Sequence, residues 1–152
     1  MTLSATYAVP GTREQVFGAL VDPAVLLRCI PGCEEMTRVG EDTYHARMRV
    51  GIASIKGLFT GRAELRDKNS PASFTLHVDG KGASGFVRGR AEIALTPIDF
   101  GTEIGCVAEI HVGGLIASVG SRLISVAAKR SMDEFFGNLR AELQAGTRCS
   151  EV

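Results

Sequence analysis

The sequence predicts an α+β domain: a curved antiparallel sheet of about seven strands wrapped around one long C-terminal helix, with two short helices after the first strand. Three observations carry this. From Cys33 to Val112 the chain alternates apolar and polar residues in about six short segments, the period of strands with one dry and one wet face. From Gly113 onward the apolar residues recur at steps of three and four, the period of an amphipathic helix. That long helical pattern comes last, and a one-faced sheet needs such a cover.

Each element has a local cause. Residues 3–9, LSATYAV, alternate as a half-buried strand and are stopped by Pro10-Gly11. Thr12 and Gln15 have the spacing of a capping box and predict a short helix through Leu20. Asp22-Pro23 supplies an N-cap and a first-turn proline for a second helix, which Pro31-Gly32 ends. The six strands that follow are divided by Gly40, Gly51, Asn69-Ser70-Pro71, Gly80-Lys81-Gly82 and Asp99-Phe100-Gly101.

One phase of each strand is apolar, for example Tyr44, Ala46, Met48 and Val50, or Val87, Ala91, Ile93 and Leu95. The other carries Arg47, Arg49, Arg62, His77, Arg88, Arg90, Glu103 and Glu109, so the sheet has one buried face. From Leu115 to Leu143 we expect one continuous helix, with Ile116, Val119, Leu123, Ala127, Met132, Phe135, Phe136, Leu139 and Leu143 on its inner stripe. The domain is expected to span residues 1–144, with 145–152 a flexible tail.

Composition narrows the function classes. Seventeen basic residues balance seventeen acidic ones, which gives no electrostatic footprint for nucleic acid. The N-terminus lacks a basic region followed by an apolar run, and no stretch approaches the length of a membrane span. A cytoplasmic protein is expected. Four cysteines in 152 residues are too few for a disulfide scaffold.

Four motifs invite chemistry. Cys29-Ile30-Pro31-Gly32-Cys33 is one residue longer than a thioredoxin-type pair, and Cys29 falls at the C-terminal end of its helix, where the dipole does not favour a thiolate. Metal binding and redox chemistry are both weighed against a helix-to-strand corner with packed thiols, and the corner fits better. Gly80-Lys81-Gly82-Ala83-Ser84-Gly85 matches a dinucleotide-binding pattern, but a strand pattern follows where a helix should begin; tight turns and a bulge account for these glycines. Glu34 and Glu35 are strand neighbours and should point to opposite faces, so they are not read as an acid–base pair. Lys81, Arg88 and Arg90 read as a charged outer face.

The inner face mixes bulky residues with Gly57, Gly61, Ala63, Gly89, Ala91 and Ala108, opposite a helix notched by Ala117, Gly120, Ala127 and Ala128. Two readings stay open: close helix–sheet packing, or an apolar cavity with Tyr7, Tyr44 and Ser84 as polar handles. For a cavity, the expected ligand-binding residues are Tyr44, Met48, Phe59, Phe74, Val87, Ile104, Leu123, Ala127 and Phe135. No catalytic residue and no metal ligand is assigned. A tyrosine hydroxyl is expected to orient a ligand carbonyl.

The segments 20–36 (LVDPAVLLRCIPGCEEM), 57–65 (GLFTGRAEL), 80–97 (GKGASGFVRGRAEIALTP), 101–104 (GTEI) and 113–124 (GGLIASVGSRLI), with Phe135-Phe136, resemble the carbon monoxide dehydrogenase G-subunit family. That family lies within the START-like helix-grip superfamily, and the resemblance runs from about Leu3 to Leu143. It implies a non-catalytic accessory protein that holds a hydrophobic molecule such as a quinone or lipid. It also implies a molybdenum hydroxylase of the carbon monoxide dehydrogenase type as partner, served in assembly, membrane recruitment or quinone delivery, with peripheral contact at the inner face of the membrane and no resident cofactor. Two rivals follow from the same superfamily and surface: a cyclase- or dehydratase-like enzyme using the same cavity, and a dry-cored docking adaptor with Leu58 and Phe86 as contacts.

Overall fold

The computed structural model describes residues 1–52 and 55–150, with side chains through residue 145. The elements run β1 (Thr2–Val9), α1 (Arg13–Val21), α2 (Pro23–Cys29), β2 (Cys33–Gly40), β3 (Thr43–Ile52), β4 (Ile55–Asn69), β5 (Ser73–Gly82), β6 (Gly85–Ile98), β7 (Gly101–Gly113), a 3-10 turn (Leu115–Val119) and α3 (Ser121–Ser150). The strands form one antiparallel sheet in the order β1-β7-β6-β5-β4-β3-β2. Every neighbour except β1 is a hairpin neighbour, and β1 joins the far side by pairing Thr2 to Val9 with Glu109 to Thr102. The expected fold class is therefore the observed one.

Helix starts follow their caps. Thr12 accepts a hydrogen bond from the Gln15 backbone N–H while the Gln15 side chain accepts one from the Thr12 N–H, completing the capping box of α1. Asp22 accepts from the Ala24 N–H and Pro23 opens α2.

Three local expectations are corrected. The last helix is not continuous from Leu115. Gly120 sits at φ +94 and separates the 3-10 turn from α3, a conformation an L side chain rarely adopts. The β5–β6 hairpin turns at Ala83-Ser84, not at Gly80–Gly82, which are paired strand residues; a Cβ on Gly85 would collide with the Gly113 carbonyl. Glu34 and Glu35 both reach Arg47, at 3.5 and 3.0 Å, because a bulge between Cys33 and Glu35 breaks the alternation. Gly51, expected as a break between strands, is a strand residue paired with Lys56; residues 53–54 lie outside the described residues.

The helical backbone runs through Ser150, past the Gln144 boundary set from the sequence. The core lies between the inner sheet face and the helices, built on Val16, Leu20, Cys29, Ile104, Phe136 and Leu139. On the outer face the charged phase is paired: Arg90 with Glu92 at 3.0 Å, Arg88 with Asp79 at 3.9 Å, and Arg66 with Glu64 at 3.0 Å.

Candidate functional site: an apolar cavity between sheet and helix

Close packing does not extend along the whole sandwich. A cavity of about 450 Å³ lies between the inner face of β3–β6 and α3, within the usual range for a small-molecule site. Strand registers show why. One row across β3, β4, β5 and β6 reads Ala46–Gly61–Gly80–Val87, and the next reads Tyr44–Ala63–Val78–Gly89. Five of these eight positions are glycine or alanine, so the floor of the cavity is close to bare backbone.

Larger side chains form its ends. Met48, Val50 and Phe59 close one side, while Leu65, Phe74, Leu76 and Ile93 close the other. Phe135 and Phe136 of α3 form the roof, and their rings meet edge to face at 4.9 Å. Val78 lines the cavity and is also 41% exposed, so the cavity opens to solvent on that side.

Of the nine residues expected to line a site, Tyr44, Met48, Phe59, Phe74, Val87 and Phe135 border this cavity. Ile104, Leu123 and Ala127 do not. Ile104 is fully buried in the packed core. Leu123 is 46% exposed, whereas its neighbour Ile124 is buried. The break at Gly120 starts α3 afresh, so its first turns face inward through Ile124 in place of Leu123, while the expected Met132, Phe136 and Leu139 do lie on its inner stripe. The sequence pattern did not single out Leu20, Leu26, Ile30 and Met36, which cap the cavity from α1, α2 and the start of β2. Their signal was present as i, i+4 pairs, Val16–Leu20 and Leu26–Ile30, on helices too short to stand out.

The polar handles are spent elsewhere. The Tyr44 hydroxyl donates to the Val21 carbonyl at 2.6 Å and accepts from Arg38 at 3.2 Å. The Tyr7 hydroxyl donates to Asp133 at 2.7 Å, and Tyr7 is not part of the wall. Ser84 donates to the Lys56 carbonyl at 3.4 Å and also lies off the wall. The expectation that a tyrosine hydroxyl orients a ligand carbonyl is therefore corrected for both tyrosines. Arg62 and Asp79 border the cavity, but their side chains are 61% and 54% exposed and approach Glu64 and Arg88 on the outer face. Among the described lining residues, no carboxylate or histidine side chain projects into the space.

The two cysteines of the helix-to-strand corner behave as packing groups. Cys29 is fully buried and Cys33 partly so, and burial pushes both thiols up from their ordinary value; Glu142 adds to the effect at Cys29 and Arg28 opposes it. A raised thiol pKa means less thiolate and a weaker nucleophile. Cys29 lies where α2 meets α3, its carbonyl accepting a 2.9 Å hydrogen bond from Asn138. Leu58 and Phe86, 41% and 37% exposed, sit on the outer face, and Phe86 lies beneath the Arg88 guanidinium at 5.2 Å.

Residues 6–144 match the family model of the carbon monoxide dehydrogenase G-subunit, CoxG. The chain belongs to the CoxG family. A conserved protein from Geobacillus kaustophilus is similar to this CoxG-family chain throughout, at 34% identity and TM-score 0.90, covering 95% of this chain and 96% of that one. A START superfamily protein from Mycobacterium smegmatis superposes at TM-score 0.72 with 10% identity, over 95% of this chain and 97% of that one. The Zhui aromatase/cyclase from Streptomyces sp. R1128 does so at TM-score 0.74 with 13% identity, over 99% and 97%. At such identities the last two show the START-like fold alone. No curated protein matches the sequence. Among the described residues, no helix is long and apolar enough to cross a membrane.

Proposed function

We propose that this CoxG-family domain binds and carries an apolar small molecule, a quinone or lipid, in the cavity between its sheet and α3. It does so in the service of a carbon monoxide dehydrogenase-type molybdenum hydroxylase. The observation that carries this reading is the character of the cavity wall: a floor of glycine and alanine, ends of Met, Phe and Leu, and hydroxyls already committed to the protein. Each 100 Å² of apolar ligand surface withdrawn from water contributes about 2.5 kcal/mol. An unpartnered carbonyl buried against the same wall costs about 2–7 kcal/mol. The ligand therefore enters apolar part first and keeps its polar end at the open side near Val78.

Bond-making chemistry in the cavity would require an inward acid or base, and the lining carries none among the described residues. This favours a carrier over a cyclase-like enzyme, although the Zhui aromatase/cyclase shares the fold.

Native mass spectrometry of the freshly purified protein, followed by organic extraction, tests the reading. A quinone or lipid released at near-stoichiometric amount supports it and names the cargo. A protein that is apo on isolation and stays apo after incubation with quinones and lipids refutes it.

A further inference from the structure

The β6–β7 hairpin carries a feature that neither the cavity nor the core uses. Ile98 pairs with Gly101, so Asp99 and Phe100 form the two-residue turn. Phe100 has φ +72, at a position where such turns call for glycine or asparagine. Among the described residues the other non-glycine residue at positive φ is Asp67, whose short polar side chain suits that region. Phe100 has no such compensation. Its ring is fully exposed, beside the 42% exposed Ile98, so no burial within the fold offsets the strain. Strain held without benefit to the fold points to a role outside it.

Beside this aromatic peg lies a groove of about 620 Å³ between the Pro10–Gln15 segment and the Pro97–Gly101 tip. Arg13 stands on the groove wall and Asp99 at the root of the peg; neither has an ion pair among the described residues. We infer that the peg seats in the groove of a second copy of this chain, in a two-fold pair where each Asp99 meets Arg13 of the other copy. Such self-complementarity is what an isologous interface requires. The charges favour this occupant over an anionic lipid surface, because Glu14 and Asp99 flank the same apolar patch. A phenylalanine buries about 150–250 Å², so two pegs and the surfaces they cover amount to about 800 Å² in all. Stable complexes bury at least about 1,200 Å², so the pair is weak and concentration-dependent.

Sedimentation velocity of the full chain, from micromolar to millimolar concentration, tests this. The wild type should show a sedimentation coefficient that rises with concentration. Phe100→Gly, which suits the turn, should weaken association about thirtyfold or more while melting no lower than wild type. Arg13→Asp should weaken it about two- to fivefold, and adding Asp99→Arg should restore it. A wild type that stays monomeric throughout, a Phe100→Gly variant that associates normally or melts well below wild type, or indifference to Arg13→Asp would each overturn the inference. Flotation with vesicles that depends on Phe100 in a protein that remains monomeric would assign the peg to a lipid surface instead, and also overturn it.

Discussion

The two ends of one sheet face behave differently. At one end the cross-strand row Phe74–Ile93–Cys106 is filled, each residue at most 7% exposed, and the side chains of α1 and α3 press onto it. Phe17 meets Phe74 edge to face at 5.4 Å. At the other end the rows through Gly61–Gly80 and Ala63–Val78 leave the space empty. Strand order is continuous across both, and the β4–β5 register shifts at the packed end, between Arg66 and Asn69, not along the empty rows. The cavity is made by removing side-chain volume from two adjacent rows, not by lifting the helix off the sheet. Close packing elsewhere keeps it from collapsing.

Of the floor glycines, the two that border the cavity, Gly61 and Gly80, differ as well. A Cβ on Gly61 would lie 2.8 Å from the Asp79 carbonyl oxygen, so that position is glycine for backbone reasons. A Cβ on Gly80 would meet nothing closer than 3.9 Å. Gly80 has room for a side chain and lacks one.

The contrast can be broken most forcefully at the packed end. Ile104→Ala should cost about 2–5 kcal/mol in denaturant unfolding, because its site is fully buried and cannot relax. Met48→Ala, on the cavity wall, should cost much less, since part of its surface already faces empty space. Equal losses would mean that the cavity is as tightly packed as the core. Gly80→Leu sharpens the comparison from the other side: it should reduce ligand uptake about tenfold, equivalent to about 1.4 kcal/mol, with no loss of stability. Strand propensity favours any side chain over glycine there.

A smaller effect concerns the straps that hold α3 at Asp133 and Glu142. Lys129 and Tyr7 hold the Asp133 carboxyl below its ordinary value, and Arg28 does the same for Glu142. Lowered carboxylate values give stability that is present above the unfolded pKa and lost as pH falls through the folded one. Stability should therefore be flat from about pH 7 to 5 and decline below about pH 4, with a shallower decline in Glu142→Gln. The smallest effect is expected at the corner: Cys33→Ser should change stability by no more than about 0.5 kcal/mol and leave ligand uptake unaltered.

The sheet was legible because each strand carries its own period, and five of the nine expected lining residues, Tyr44, Met48, Phe59, Phe74 and Val87, follow from that period alone. The helix side was less legible. The phase of α3 is set at Gly120, whose conformation no periodicity reveals, and projecting the stripe across it misplaced Leu123 and Ala127. The hydroxyls of Tyr7 and Tyr44 could not be assigned from phase either, because their partners, Asp133 and the Val21 carbonyl, are distant in sequence. Phe100 looked like an ordinary turn residue, and only its backbone angle and exposure set it apart.

The pairing of the first strand with the last has a consequence for biosynthesis. The Met1 amino group reaches the Ile110 carbonyl across 109 residues, and α3 follows later still. A nascent chain must therefore emerge through β7 before β1 finds its partner, and through α3 before its apolar inner face gains a roof. Topologies dominated by such distant pairings fold slowly, in about milliseconds to seconds. During that interval the open trough is an apolar surface within reach of other apolar groups, and that access narrows once α3 docks.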